Sequence, residues 1–94
     1  MNRAGRKRKY SDRHRYIMSV LWLRGHSYDQ IAGVAERFGV MGMNRARVYG
    51  VIAQTPFNGR DKMPAEMRQR FLDKLKAERL DGGILPAEMF EVMP

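Results

Sequence analysis

The sequence predicts an all-α fold: a three-helix core of helix-turn-helix type, an additional long C-terminal helix and a short terminal helix. Three observations predict it. Apolar residues recur at helical spacing in four separate stretches, with no alternating strand-like run between them. Each stretch is bracketed by helix-start residues (Ser11, Ser27, Asn44, Pro64) and by stop signals (Gly25, Gly39, Pro56, Gly82-Gly83). Two of the stretches fall within residues 27–55 and are separated by a glycine-bearing turn, with arginines at the start of the second.

The 94 residues suffice for one domain with one modest core. Residues 1–10 read as a disordered basic arm and residues 11–94 as a single helical domain, with the helix-turn-helix core over 11–56 and a helical extension over 63–94. Cysteine is absent, which excludes disulfides, thiolate zinc sites and a cysteine nucleophile. No apolar run is long enough to span a bilayer, and no hydrophobic signal segment follows the basic N-terminus, so no membrane association and a cytoplasmic location are expected.

Net charge is +8 and unevenly spread. Residues 1–15 hold seven basic side chains and one acidic, residues 16–60 five and two, and residues 61–94 six and seven. Such polarity points to a polyanion on one side of the molecule. Arg3, Arg6, Lys7, Arg8 and Lys9 form the densest cluster. An arm of this kind follows phosphates and releases counterions as it does so.

The first helix is expected to start at the N-cap Ser11 and to end at Gly25, with Tyr16, Ile17, Val20, Leu21 and Leu23 on its apolar side. Trp22 reads as a packing residue, with a flank to the bound polyanion as the alternative, and Arg13 and Arg15 extend the charge of the arm. The second helix should run from Ser27 to about Arg37; Ser27 and Gln30 fit a capping box, Ile31, Val34, Ala35 and Phe38 form its apolar side, and Gly39 follows it. Ala32 is small where another helix must cross closely. The turn then occupies residues 39–43.

The third helix should run from the N-cap Asn44 to about Thr55, before Pro56. At 100° per residue, Val48, Ile52 and Thr55 face the core, while Arg47, Gly50, Val51 and Gln54 fall on the opposite side. Gly50 is unfavourable in a helix interior by about 1 kcal/mol relative to alanine; it suits close approach of either a large partner or another helix. Residues 56–62 form a turn with Asn58-Gly59 at its tip. The fourth helix should start with Pro64 at its first position and run to about Asp81, with Met63, Met67, Phe71 and Leu75 on one stripe and Leu72 and Leu80 beside it. Residues 84–94 read as a short amphipathic helix starting at Pro86 that docks on the body or on a partner chain.

At VLWLRGHSYDQIA followed by NRARVYGVI, residues 20–52, the chain resembles the GcrA-type cell-cycle regulators of alphaproteobacteria and, more loosely, DNA-binding region 4 of sigma factors. The resemblance rests on Leu21-Trp22, on Gly25, on Ser27, Gln30, Ile31 and Ala32 in the second helix, and on Arg45, Val48 and Gly50 in the third. Asn44 stands where that family has its capping threonine. The chain departs from the pattern in a longer link between the two helices and in Ala46-Arg47 in place of an Asn-Ala pair, so base preference does not carry over. Residues 64–94 show no match to the family's C-terminal segment. The resemblance implies DNA binding and a bacterial or phage origin.

These readings lead to one expectation: a double-stranded DNA-binding protein that regulates transcription, with residues 44–55 in the major groove. Asn44, Arg47 and Gln54 are the candidate base readers, because Arg pairs with guanine and Asn or Gln with adenine in bidentate geometry. Arg3, Arg6, Lys7, Arg8, Lys9, Arg13, Arg15, Arg45, Tyr49, Arg60 and Lys62 are the candidate backbone contacts, Tyr49 being equally open to a core role. Two alternatives share the sequence: a protein-interaction module that binds RNA polymerase or a sigma factor or self-associates through residues 64–81, and a phage DNA-packaging or recombination accessory. A homodimer is compatible with reading two half-sites. No enzymatic role, small-molecule substrate, metal or cofactor is expected: His14 and His26 lie in different elements, the serines lack a triad context, and GVMGM lacks the lysine of a phosphate loop.

Overall fold

Local capping chemistry sets where the helices begin. In the computed structural model, which describes residues 10–91, the hydroxyl of Ser11 accepts from the backbone N–H of His14 at 3.1 Å and opens α1 (Asp12–Leu23). Ser27 and Gln30 close a reciprocal capping box at 3.1 and 2.9 Å and open α2 (Tyr28–Val34). The side-chain oxygen of Asn44 accepts from the N–H of Arg47 at 2.9 Å and opens α3 (Arg45–Ala53). A fourth helix, α4 (Ala65–Glu78), follows Pro64. No strand occurs among the described residues, and the fold is all-α. Residues 1–9 of the basic arm, and residues 92–94, lie outside the described residues.

The centre of the molecule is α1. Every residue from Tyr16 to Leu23 is buried, well beyond the stripe that periodicity marks out, because α2, α3, α4 and the last turn of the chain all pack on it. A helix covered on all sides must be apolar on all sides; its buried hydroxyls are satisfied, that of Ser19 by the carbonyl of Arg15 at 2.8 Å and that of Tyr16 by the carbonyl of Leu75. Gly25, at φ +105°, then reverses the chain, and the N–H of His26 reaches back to the carbonyl of Leu21.

Several boundaries differ from the sequence expectation. The second helix stops being α-helical at Val34 and tightens into a 3₁₀ turn, Ala35–Phe38, before Gly39. The tighter winding and the bond from Val40 N–H to the Ala35 carbonyl bring Ala35, Phe38 and Val40 into the core together. The connection between α2 and α3 therefore spans residues 35–44, far longer than the three- or four-residue turn of the compact motif. In α3, Val48 and Ile52 are buried as expected, but so is Val51, which the helical wheel had assigned to the outer side. The inward arc of α3 is wider than one stripe because α1 and α2 both pack on it.

Pro64 is the N-cap of α4, with extended ψ, and not its first helical residue. The helix ends at Glu78 because Arg79 adopts a left-handed conformation, φ 45°. Leu72 and Leu75 reach the core, whereas Met67 and Leu80, expected beside them, are about half exposed. The final segment is a 3₁₀ turn, Ala87–Phe90, in place of a helix, and it does dock: Phe90 is fully buried against Tyr16.

Asp81 organises this C-terminal corner. Its buried carboxylate accepts from the N–H groups of Gly83 (3.1 Å) and Leu85 (2.7 Å) and pairs with Arg79. Burial alone pushes the carboxyl upward in pKa, but the two backbone donors and the Arg79 guanidinium outweigh it, so Asp81 is more acidic than an ordinary aspartate. Nearby, the Tyr16 hydroxyl donates to the carbonyl of Leu75, and burial together with the charge of Asp81 pushes the phenol up to about 12.

Candidate nucleic-acid interface

The outward side of α3 carries Arg45, Ala46, Arg47, Tyr49, Gly50 and Ala53, with Asn44 before it and Gln54 after it; all are exposed. Arg47, Gly50 and Gln54 share one line along the helix. Gly50 has open space where a side chain would project, so no helix–helix contact accounts for it. The nine residues of α3 extend about 13 Å, roughly four base-pair steps.

The two arginines of the first turn lean in opposite directions. Arg45 turns toward α2, with Nη1 3.9 Å from the carboxylate of Asp29, and both side chains remain open to solvent. Arg47 turns the other way, donating from Nη1 to the carbonyl of Gly42 at 2.8 Å. That bond ties it to the turn and leaves its remaining donors directed outward. Asn44 commits its oxygen to the cap, which leaves its NH₂ as the group available to a partner.

An open polar pocket lies on the Arg47 side, lined by Tyr10, His14, Gly39, Val40, Met41 and Arg47. Tyr10, the first described residue, thus lies beside Arg47 in the first turn of α3. Residue order did not reveal this: Tyr10 and Arg47 are far apart in sequence, and the approach depends on how α1 crosses the 39–42 turn.

The remaining candidate contacts divide. Lys62 is exposed. Arg15 is half-buried, and Arg13 lies against the C-terminal corner, donating from Nε to the carbonyl of Asp81 at 3.0 Å. Arg60, expected to touch phosphate, is held within the fold. Its side chain is only 14% exposed; it donates to the carbonyls of Trp22 and His26 and sits beside Asp61 at 3.5 Å. A guanidinium held this way is largely committed within the fold.

On the Arg45 side the structure assembles an aromatic stack that no periodicity announced. The Trp22 and Tyr28 rings lie parallel, 4.5 Å between centroids, and Tyr49 meets Tyr28 edge-on at 5.5 Å. Arg60 covers Trp22 at 3.6 Å, and the indole N–H donates to the carbonyl of Phe57 at 2.7 Å. Trp22 is thus a packing residue, as expected. Tyr28 went unremarked in the sequence because it sits at the start of α2, away from its apolar stripe; Asp29, read as facing solvent, does so.

Among the described residues no cluster of three or more His, Asp or Glu could hold a metal ion, and no helix is long and apolar enough to cross a membrane. Asp81 and Tyr16, whose acidity is shifted, belong to the C-terminal corner. No protein-family model, curated protein or solved structure matches the chain.

Proposed function

We propose that the protein binds double-stranded DNA sequence-specifically and regulates transcription, in the cytoplasm or on the nucleoid, with α3 in the major groove and the basic arm along the backbone. One observation carries the reading: the exposed, cation-bearing side of α3 lies next to Tyr10, the residue at which the basic stretch ends in the sequence. Arm and helix can therefore address one duplex at once. The diameter of an α-helix with its side chains, about 10–12 Å, suits a groove about 12 Å wide. In this arrangement Arg47, Gln54 and the amide of Asn44 face base edges, and Arg45, Lys62 and the arm hold phosphates.

Selection of bound sequences from a random duplex pool tests the proposal, followed by affinity measurement over a range of salt concentrations. A defined consensus and a steep loss of affinity with salt are expected. Recovery of unselected sequences, or binding that ignores salt, counts against it.

A second reading is favoured by one specific feature. Met67, Leu80 and Ile84, all on the C-terminal half, are large apolar side chains between 43 and 52% exposed. They suit a protein partner, such as RNA polymerase, a sigma factor or a second copy of the chain. Stoichiometric complexes that persist at high salt distinguish that reading.

A further inference from the structure

We infer that Tyr49, with Ala46 and Tyr28, forms a reader for the C5 methyl group of a thymine; the inference rests on the DNA-binding reading above. The three side chains and Arg45 line one open, mainly apolar depression beside the first turns of α3. Tyr49 is 57% exposed, one of the most exposed large apolar residues of the described chain, and it projects from the helix whose neighbouring residues are arginines.

An exposed tyrosine is usually mobile, but this one is backed by a rigid stack. Its ring meets Tyr28 edge-on, Tyr28 lies flat on Trp22, and Trp22 is fixed by its bond to the Phe57 carbonyl and by the Arg60 guanidinium on its other face. Such a surface is already ordered before it meets a partner, so contact requires little loss of side-chain freedom. Arg45, which lines the same depression, complements a phosphate at the edge of a groove. Within a major groove, the thymine methyl is the one apolar group that an unmodified base pair offers. A pre-ordered apolar spot beside an arginine, on a helix read as entering the groove, matches that group. The reading also changes the role of Tyr49: its ring is used, not its hydroxyl.

The test begins from the site obtained by selection. Each thymine is replaced singly by uracil, and each cytosine singly by 5-methylcytosine, and affinities are compared for the wild type, Tyr49→Phe and Tyr49→Ser. The inference requires one thymine at which uracil weakens wild-type binding about fourfold, the equivalent of about 0.8 kcal/mol for one methyl group. That ratio is retained in Tyr49→Phe and falls to about one in Tyr49→Ser. Tyr49 is exposed, so both variants are expected to fold, which circular dichroism checks; the uracil series on the wild type needs no variant at all.

A selected site without a sensitive thymine overturns the inference while leaving specific DNA binding standing. So does discrimination that survives in Tyr49→Ser or disappears in Tyr49→Phe, the latter assigning the effect to the hydroxyl. An effect confined to 5-methylcytosine overturns the thymine assignment. Absence of duplex binding removes this inference and the proposed function together.

Discussion

The guanidinium of Arg60 lies 3.6 Å above the ring of Trp22 and donates to the carbonyls of Trp22 and His26 at 2.8 and 2.7 Å. One cation thereby closes the end of α1, supports the aromatic stack under α3 and anchors the 56–62 turn. We predict that Arg60→Ala lowers the free energy of unfolding by about 2–4 kcal/mol, from lost charge-assisted bonds and lost cation–π contact. Urea denaturation checks this. The salt slope of DNA binding should stay unchanged, because a guanidinium committed to carbonyls of the fold is expected to neutralise no phosphate and so to release no counterion; a shallower slope in the variant contradicts the assignment.

Asp81 gives the fold an acid-sensitive corner. Its folded pKa lies below the ordinary value of 3.8, so its contribution is complete above that value and is lost as pH falls through the lower folded value. We predict that Asp81→Asn destabilises the protein by about 3 kcal/mol near neutrality, where it leaves Arg79 unpaired. The same variant should show a flatter decline of stability below pH 4 than the wild type. Parallel acid limbs in denaturation series at stepped pH would show that Asp81 does not act as described.

For the α3 surface, Arg47→Ala should weaken binding to the selected site by about 1–3 kcal/mol and relax preference at one base position. Removal of residues 1–9 should weaken binding to all sequences alike and flatten the salt dependence. Competition titrations with selected and scrambled duplexes separate the two effects. Equal loss on both duplexes for Arg47→Ala would move that residue from the bases to the backbone.

Asp29 is paired with an exposed cation of α3, its carboxylate 3.9 Å from Arg45. Both side chains are largely exposed, so the pair contributes less than about 1 kcal/mol to stability. Asp29→Asn should therefore leave stability within a few tenths of a kcal/mol while raising DNA affinity several-fold, by removing a repulsive charge and freeing Arg45 for phosphate. Affinity that is unchanged or lower places Asp29 and Arg45 away from the duplex.

The all-α architecture and most helix starts were legible in the sequence, because they depend on neighbours three and four residues apart. Ser11, Asn44 and the Ser27–Gln30 pair act within a single turn of their own helix. The same local logic correctly placed Val48 and Ile52 inward. Only the tertiary structure decided which further surfaces were covered. Val51 and the whole second half of α1 are buried because other elements close over them. Arg60 is drawn inward by carbonyls of the distant α1 end, and Tyr28 joins Tyr49 to Trp22 across two helix breaks. Arg79 leaves helical geometry where Asp81 and the Leu85 carbonyl receive its side chain. Spacing along a chain encodes the partners of a side chain within its own helix; partners that arrive from elsewhere are fixed only when the elements dock.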